Sequence, residues 1–522
     1  MRATTSRLRP PTALLFAVLL LGPARAADGL DAQVKKVTDA PLYKHARWGI
    51  LVVDRKTGQT VYERNADRLF APASVTKLYS GAAALVKLGP GRKFETAVYS
   101  RGELNEGRLR GDLIVVPGGD FTLGGRTEAQ DRLAFKNNDH IYANWMDTKA
   151  ELTDTDPLAG LKDLAFQVKA AGVRRVDGEV LIDDRLFAHA RGSGSGPDLL
   201  TPVVVNDNIL DVVLTPAAEA GKPAKVELRP KTAFLQADVR VDTVAKGRKP
   251  RVEVRHVGPQ RYVVRGTIPV GHRPLVRICP VDEPAGFARA LFIEALRSEG
   301  VEVRASALQA PTAELPEKGA YGRLQRVAVH TSPPFSEMLK VTLKVSHNLY
   351  ASMFPLLLAV QDGKRTLPEG MRLQGKVLAE LGVDVAGISL ETGAGGGNGD
   401  RVTPRATVQL LMAMAKRPEF AAYRAALPVL GVDGTLADAV GPDSPARGKV
   451  FAKTGTYGDP DLLNDRVLLR SKALAGVMTT ADGRRLAFAI FVNEVPLPKG
   501  GTPTAVGKDL GRLCEVFYRD KP

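Results

Sequence analysis

The apolar positions of the chain follow two periodicities, one typical of strands and one typical of helices. An unbroken apolar run at residues 47–53 predicts a buried strand, and residues 59–63 predict the strand that returns beside it. Residues 73–88 are rich in Ala, Leu and Lys and stop at Gly89-Pro90, which predicts a helix with a defined end. The N-terminal part of the chain therefore predicts a strand pair followed by a helix.

The middle of the chain, from about residue 95 to 320, has short apolar runs separated by Gly, Pro and Asp. These runs predict strands at 111–116, 178–183, 203–205, 210–214 and 262–264. One amphipathic helix is predicted at 285–298, and the glycine-serine segment 192–196 is predicted to be a flexible loop. Further along, the pattern predicts helices at 335–345, 348–360, 369–381, 405–415 and 503–518. Two apolar strands are predicted at 473–478 and 486–492.

Strands at both ends of the chain, with helices between them, predict an α/β (α+β) core built from the two ends. The β-rich middle is then an insertion into that core. The predicted organisation is a split domain of residues 27–92 and 322–522, an inserted domain of residues 93–321, and a nested β-rich subdomain at about 200–275. The sequence shows no internal repeat.

The first 26 residues have the three parts of a secretory signal peptide. Three arginines within the first nine residues precede an apolar run at 12–21, and Ala24-Arg25-Ala26 is a small-x-small cleavage pattern. That run is too short to span a bilayer of about 30 Å, which argues against a membrane anchor. The sequence therefore predicts cleavage near Ala26 and an exported protein, periplasmic or cell-wall associated, with no integral membrane span.

Composition limits the class of protein. Of 522 residues, 44% are hydrophobic and 25% are charged, which excludes a mostly disordered or polytopic membrane chain. The formal charge of +16 falls to +12 when the four arginines of the signal peptide are removed. This positive charge suits binding to anionic wall polymers or lipid, but an ordinary solvated surface explains it equally well. Nothing in the sequence points to nucleic acid. Cys279 and Cys514 either pair in an oxidising compartment or remain two separate buried thiols.

Three short motifs carry the candidate chemistry, and the first is Ser74-Val-Thr-Lys77. Ser74 and Lys77 are three residues apart at the start of the predicted helix, so both side chains lie on one face. A serine hydroxyl needs an adjacent base to act as a nucleophile, and a neutral lysine can supply it. The positive end of the helix favours an oxyanion there. By itself the pattern is weak, because S-x-x-K is common on exposed helix faces.

The second and third motifs are Ser346-His347-Asn348 and Lys453-Thr454-Gly455, the latter followed by Thr456. The second places a hydroxyl and an amide two residues apart between two predicted helices. In the third, a lysine and a hydroxyl suit a substrate carboxylate, an edge strand can pair with an extended peptide, and glycine permits close backbone approach. Another K-T-G, Lys56-Thr57-Gly58, precedes Ser74 and is interpreted as an ordinary tight turn. The order of the motifs therefore carries the signal.

Taken in this order, the three motifs resemble those of the penicillin-recognising serine acyl-transferases. The chain is similar in particular to the D-alanyl-D-alanine carboxypeptidase/endopeptidase family, the class C low-molecular-mass penicillin-binding proteins. The interval of about 270 residues between Ser74 and Ser346 is typical of this family, which inserts extra domains there. Further segments that resemble the family lie at 65–77, 111–123, 203–208, 427–436 and 474–476.

The resemblance implies a transpeptidase-like domain of the penicillin-binding-protein and β-lactamase type, with an antiparallel sheet, helices and inserted β-rich domains. It implies cleavage of the D-Ala-D-Ala end of peptidoglycan stem peptides through an acyl-enzyme, inhibition by β-lactams, and no metal or other cofactor. Cleavage of D-Ala-diamino-acid cross-links is a second activity of the family.

The resemblance also assigns site residues. The expected catalytic residues are Ser74, Lys77, Ser346, Asn348 and Lys453. The expected substrate-binding residues are Thr454, Gly455, Thr456 and Asp183. Asp183 is the family position that meets the amine of the substrate side chain, but a turn residue at a strand end explains it equally.

The chain departs from the family at the loop that lines the substrate side of the cleft. Relatives usually carry D-G-S-G-L-S-R where this chain has Thr392-Gly-Ala-Gly-Gly-Gly-Asn398, without the acid, the serines or the arginine. Two alternatives remain: a catalytically impaired peptidoglycan-binding homologue, and a β-lactamase or esterase on the same scaffold, for which no deacylating acid is evident. His347 replaces the usual Asp, a change expected to be tolerated, and the link at 457–470 is longer than usual.

Overall fold

The computed structural model describes residues 25–144 and 149–521. The predicted signal peptide lies almost entirely outside these residues, so it stays a prediction. The first described element is the helix Arg25–Thr38, which the sequence pattern does not indicate. None of the helices within these two ranges combines the length and the apolar character that are needed to cross a membrane.

One antiparallel sheet of five strands joins the two ends of the chain. Its strands, in spatial order, are Thr60–Arg64, Arg47–Asp54, Arg485–Pro496, Arg466–Thr479 and Val450–Asp461. Neighbouring positions such as Ile50 and Leu51 are both buried, because apolar cores lie against both faces of the sheet. This double burial explains why the three inner strands of the sheet contain continuous apolar runs rather than alternating patterns.

Helices cover the two faces of this sheet. Arg25–Thr38 and Pro503–Arg519 pack on one face, around a core that includes Trp48 and Phe488. The helix Lys77–Leu88 lies on the other face, where it is enclosed by the remaining helices of this part of the chain. Those helices are Phe335–Lys344, Asn348–Gln361, Leu367–Glu380, Pro404–Met414 and Phe420–Ala426. The start of Lys77–Leu88 is therefore fixed by packing on several sides.

The middle of the chain forms further sheets. One has Glu302–Val303, Arg175–Val176, Arg108–Pro117, Glu95–Asn105 and Gln325–Thr331 in spatial order, with Val180–Ile182 paired to Arg108–Pro117. The helices Ala159–Ala170 and Pro284–Ser298 share a core with it. Two three-stranded sheets are Lys225–Arg229, Ile209–Thr215 and Leu275–Pro280, and Gln236–Val244, Arg261–Pro269 and Arg251–Gly258. Short pairs join Thr127–Glu128 to Arg132–Leu133, Ala190–Arg191 to Leu199–Leu200, and Ile388–Ser389 to Arg401–Val402.

The predicted fold class is confirmed: helices combine with antiparallel sheets, and strands from both ends of the chain share one sheet. The division into domains stays a prediction. One strand, Gln325–Thr331, lies beyond the predicted boundary at residue 321 and pairs with Glu95–Asn105.

The predicted strand at 203–205 is wrong. These three valines are buried, but they form no strand. Asn208 instead binds the backbone locally, because its side-chain oxygen accepts from the Val205 N–H at 3.2 Å and its own N–H donates to the Val205 carbonyl at 2.9 Å. Local bonds of this kind replace the ladder of a sheet. The apolar run therefore reflects burial and not strand pairing.

The long link at 457–470 extends the hairpin that precedes the last strand of the five-stranded sheet. Val450–Asp461 and Arg466–Thr479 stay paired as far as Asp461 and Arg466. The tip carries Leu462 and Leu463, which are 87% and 92% exposed.

The two cysteines are separate buried thiols. Cys279 lies in the core of the middle region, and Cys514 lies in the core between the five-stranded sheet and the terminal helices. Of the two alternatives that the sequence leaves open, the structure shows the unpaired one.

Candidate active site

The first motif lies at the junction of two helical segments. A short 3₁₀ helix, Ala73–Thr76, runs directly into Lys77–Leu88, and Ala73 has a positive φ of 46°. The side chain of Lys77 is fully buried, and its Nζ lies 2.9 Å from the Oγ of Ser74. The spacing of three residues thus brings the two side chains into contact, as predicted.

Two further acceptors surround the amine of Lys77. Its Nζ donates to the Oδ1 of Asn348 at 2.7 Å and to the carbonyl of Ala394 at 2.7 Å. Burial lowers the pKa of Lys77 to about 7, while the negative charge of Asp400 opposes that shift. A neutral amine has two N–H groups and one lone pair. Because the two acceptors occupy both N–H groups, the lone pair is left for the hydroxyl of Ser74.

The second motif is the turn between the helices Phe335–Lys344 and Asn348–Gln361. Ser346 has a positive φ of 65°, which is uncommon for a residue with a side chain. His347 is fully buried, and its ring stacks on that of Tyr350 at 3.7 Å between centroids. Asn348 bonds Lys77 through its oxygen, so the second motif is in direct contact with the first.

The third motif lies on the edge strand of the five-stranded sheet, as expected. Lys453 is fully buried, and its Nζ donates to the Oγ of Ser346 at 2.9 Å and to the carbonyl of Thr454 at 2.9 Å. Burial lowers its pKa well below the usual value, and the charges of Lys77 and Lys472 add to this effect. The structure therefore brings the five predicted catalytic residues together in one cluster: Lys77 bonds Ser74 and Asn348, Lys453 bonds Ser346, and the charge of Lys77 acts on Lys453.

The residues after Lys453 line the same strand. A Cβ on Gly455 would lie 2.4 Å from the carbonyl oxygen of Pro72, so only glycine fits where the strand passes the nucleophile segment. Thr454 donates from its hydroxyl to that of Thr435 at 2.8 Å. The Nζ of Lys472 donates to the hydroxyl of Thr456 at 2.7 Å. By contrast, Lys56-Thr57-Gly58 forms the predicted turn, with Asp54 accepting from two of its N–H groups.

The glycine-rich loop at 392–398 is tightly packed. A Cβ on Gly395 would lie 2.0 Å from the carbonyl oxygen of Ala73, and a Cβ on Gly396 would lie 2.3 Å from the N atom of Gly194. Gly194 belongs to the loop at 192–196, which the sequence predicts to be flexible and which here lies against both this loop and Asn348. The hydroxyl of Ser193 accepts from the N–H of Gly396 at 3.0 Å. The missing side chains of the family loop are thus replaced by close backbone contact.

Asp183 lies outside this cluster. It follows the strand Val180–Ile182, and its carboxylate accepts two bonds from the guanidinium of Arg185 at 2.8 Å and one from the hydroxyl of Tyr321 at 2.5 Å. Burial raises the pKa of Asp183, but the bonds from Arg185 and Tyr321 outweigh it, and the pKa is lowered overall. None of these bonds connects it to the three motifs, so its role in substrate binding stays a prediction.

Sequence reasoning missed several groups that complete the site. The carbonyls of Ala394 and Ser195 bond Lys77 and Asn348, but a backbone carbonyl leaves no signal in a sequence. Lys472 contacts Thr456 and has a pKa lowered to about 8 by burial. Asp400 acts on Lys77 through its charge. A lysine one strand away and an acid outside any motif carry no spacing pattern that would reveal them.

A second buried cluster lies beside the second motif. Asp139, Asp207 and His347 have ligand atoms within 4.8 Å of one another, as in a metal site. However, the guanidinium of Arg126 donates to both oxygens of Asp139 at 2.8 Å and to Asp207 at 2.6 Å. His140 also bonds Asp207, at 2.8 Å. The position between the carboxylates is therefore taken by a cationic side chain, and the cluster is an ion-pair network.

Comparisons with known proteins show the family of this chain. The family model for the D-Ala-D-Ala carboxypeptidase 3 (S13) family matches residues 30–506. A D-alanyl-D-alanine carboxypeptidase from Actinomadura sp. is 30% identical over 98% of this chain and 90% of its own length. The D-alanyl-D-alanine carboxypeptidase DacB of Haemophilus influenzae is 26% identical over 85% of each chain.

A solved structure shows the same fold. The crystal structure of penicillin binding protein 4 from Haemophilus influenzae superposes with a TM-score of 0.68 at 22% identity, and the match covers 93% of this chain and 99% of that one. The family match spans the three motifs, the sheet that carries the third, and the insertion between the first two. The chain therefore belongs to the D-Ala-D-Ala carboxypeptidase 3 (S13) family and is a serine-type D-Ala-D-Ala carboxypeptidase.

Proposed function

We propose that this enzyme is exported and cleaves the D-Ala-D-Ala end of peptidoglycan stem peptides through an acyl-enzyme on Ser74. The observation that carries the proposal is the environment of Lys77. Its Nζ lies 2.9 Å from the Oγ of Ser74, while its N–H groups are directed to Asn348 and Ala394. A pKa of about 7 leaves a large neutral fraction near neutral pH, and only the neutral amine can accept a proton.

Acylation begins when Ser74 attacks the carbonyl carbon of the penultimate D-alanine. Its Oγ forms the new C–O bond, and its proton passes to the Nζ of Lys77. The negative charge moves to the carbonyl oxygen, where the N–H groups of Ser74 and Thr456 form the oxyanion hole. Asn348 orients the substrate amide.

The leaving group departs with a proton from the second motif. The C–N bond breaks, and the amine of the terminal D-alanine takes a proton from the hydroxyl of Ser346. The proton that Lys77 received from Ser74 replaces it, so Ser346 is a hydroxyl again and Lys77 is neutral. Lys453, 2.9 Å from that hydroxyl, supports the relay. Water then attacks the ester carbonyl and gives a proton to the neutral Lys77. The ester bond to Ser74 breaks, Lys77 returns the proton to the Oγ of Ser74, and the shortened peptide is released with a new carboxyl group. Every group in the cycle returns to its starting state.

The terminal carboxylate of the substrate binds at the third motif. Thr454 contributes a hydroxyl, and Lys453 contributes positive charge, which an incoming carboxylate favours by raising the pKa of the buried amine. Gly455 lets the strand lie against Pro72, so that the oxyanion hole and the carboxylate site stay close together.

Further parts of the proposal rest on the family. β-Lactams would acylate Ser74, as is consistent with a β-lactam complex of the Haemophilus influenzae protein. Endopeptidase cleavage of D-Ala-diamino-acid cross-links would use Asp183 to receive the amine of the side chain. The signal peptide would direct the protein to the periplasm or cell wall. The catalytic domain would comprise residues 27–92 and 322–522, which is supported by the shared five-stranded sheet.

The catalytically impaired homologue is the second candidate, because the loop at 392–398 lacks the polar side chains of the family. Two observations weigh against it. The glycines pack against Ala73 and Gly194 without space for a side chain, and the carbonyl of Ala394 in this loop bonds Lys77. The loop thus supports the base instead of having lost its function.

One labelling experiment separates these candidates. We expect fluorescent penicillin to label the wild-type protein covalently and Ser74→Ala not at all. The matched control is Ser298→Ala, which removes the hydroxyl of an exposed serine at the end of the helix Pro284–Ser298 and should label normally. D-Alanine release from a muropeptide pentapeptide should depend on Ser74 in the same way.

The other outcomes of this experiment favour the alternatives. Wild-type protein that takes up no label and releases no D-alanine would favour the impaired homologue. Penicillin hydrolysis faster than D-alanine release would favour a β-lactamase.

A further inference from the structure

The segment between the first and second motifs touches each residue of the second motif in turn. The hydroxyl of Tyr142 donates to the carbonyl of Ser346. The Nδ2 of Asn348 donates to the carbonyl of Ser195 at 2.9 Å. Asp207 lies 3.5 Å from the Nε2 of His347. All three contacts come from residues that are distant from the motif in sequence.

Ser346 needs such support because of its backbone. Its φ of 65° is in the left-handed region, which costs a non-glycine residue about 1–2 kcal/mol unless its surroundings hold it there. The bond from Tyr142 acts on the carbonyl of this same residue. The backbone of Ser346 in turn sets the direction of its hydroxyl toward Lys453.

Tyr142 is itself held by the ion-pair network. It ends the short helix His140–Tyr142. Asp139, which precedes this helix, and His140, which begins it, both belong to the network. Asp139 is paired with Arg126, and the Nδ1 of His140 bonds Asp211 at 2.7 Å while its Nε2 bonds Asp207. These side chains are nearly fully buried, so their bonds form away from water, where breaking one is costly.

The same network reaches the second motif from its other side. The hydroxyl of Tyr350 donates to Asp207, and the ring of Tyr350 stacks on His347 with only 12° between the planes. Asp207 therefore connects the turn that carries Tyr142 with the helix that begins at Asn348. The second motif lies between two elements that one buried network fixes relative to each other.

We propose that the inserted segment positions the second motif for catalysis, and that Tyr142 is a positioning residue that holds Ser346 in place for proton transfer to the leaving amine. The inference rests on the proposed function, which gives Ser346 that step. Because the hydroxyl of Ser346 acts in the transition state, the loss of the Tyr142 bond lowers kcat and leaves KM nearly unchanged.

Tyr142→Phe tests this inference, because it removes one hydroxyl and keeps the ring. We expect kcat for D-alanine release to fall about tenfold, the effect of losing one hydrogen bond of ordinary strength, with KM within about twofold of wild type. Tyr43→Phe is the matched control, since its hydroxyl bonds Asp509 at 2.5 Å on the opposite face of the five-stranded sheet. Tyr43→Phe should lower Tm about as much as Tyr142→Phe does, and it should leave kcat unchanged.

Tyr350→Phe probes the network from the other side and keeps the inference testable if Tyr142→Phe does not fold. It should also lower kcat, about threefold to tenfold, without a matching rise in KM. The pH at which the rate falls on the acid side should stay the same in both variants, because neither touches Lys77. If the folded Tyr142→Phe and Tyr350→Phe variants keep the wild-type kcat, this inference is overturned, while the proposed function still stands. A wild-type protein without Ser74-dependent turnover would overturn the proposed function, and this inference with it.

Discussion

Two buried lysines whose charges interact, Lys77 and Lys453, define this site at the scale of the residue. Burial lowers the pKa of both, and the charge of Lys77 further disfavours protonation of Lys453. Lys77 differs from Lys453 in having Asp400 nearby, and the negative charge of Asp400 raises the pKa of Lys77 against the effect of burial. The balance leaves the pKa of Lys77 at about 7, in the range where a general base is most effective.

The pH dependence of acylation should reflect this balance. The rate constant for labelling of Ser74 by fluorescent penicillin should rise through about pH 7 as Lys77 loses its proton. Asp400→Asn removes the charge that stabilises protonated Lys77, so its pKa should fall and the acidic limb should move to lower pH. Asp163→Asn, a partly exposed carboxylate in the inserted segment, is the control and should leave the limb in place. A rate that does not change across the acid and neutral range would contradict the role of Lys77.

At the scale of the element, the edge strand Val450–Asp461 can lie against the nucleophile segment because Gly455 has no side chain. The approach of Gly455 to Pro72 leaves no room for a methyl group. In the sequence, K-T-G predicts a carboxylate site, and the structure adds a packing reason for its glycine.

Gly455→Ala should therefore displace the strand from Ser74. A methyl group 2.4 Å from a backbone oxygen forces a shift that costs about 1–3 kcal/mol, and penicillin labelling should slow by about tenfold or more. Gly441→Ala is the matched control, because a Cβ there meets nothing within 4 Å. Thermal unfolding of both variants is measured beside the labelling rate. A Gly455→Ala protein that is folded at the assay temperature but labels slowly shows that local displacement of the strand, and not unfolding, slows the reaction. Equal labelling rates in the two variants would contradict this account.

At the scale of the whole molecule, the two cysteines lie in two separate hydrophobic cores. Cys279 and Cys514 are buried in different apolar clusters, and burial raises the pKa of each thiol. A thiol with a raised pKa in a closed core reacts slowly with disulfide reagents.

Export to an oxidising compartment should therefore leave both thiols free. We expect no reaction with a disulfide reagent in the native protein and two reactive thiols after unfolding without reductant. Tm should be the same with and without reductant. Fewer than two thiols in the unfolded chain would indicate a disulfide and contradict the structure.

The apolar pattern predicts the three inner strands of the five-stranded sheet well, because strands buried on both faces leave long apolar runs, but it does not indicate the edge strand Val450–Asp461. It fails at 203–205, where the same apolar signal comes from buried valines whose backbone is bonded by Asn208. The helices Ala159–Ala170 and Phe420–Ala426 are also missed, since the first has a weak amphipathic pattern and the second has only 7 residues. Tertiary contact stabilises such elements more than their own propensity does.

By itself the sequence determined the class of chemistry, because three motifs in a fixed order indicate the nucleophile, its base and their partners regardless of the distances between them. Only the tertiary structure decided how these groups work together. The lone pair of Lys77 faces Ser74 because the carbonyl of Ala394 accepts one of the N–H groups of Lys77. The backbone conformation of Ser346 is supported by the bond from Tyr142. Such contacts join residues that are hundreds of positions apart, and burial, which sets their strength, is a property of the packed molecule.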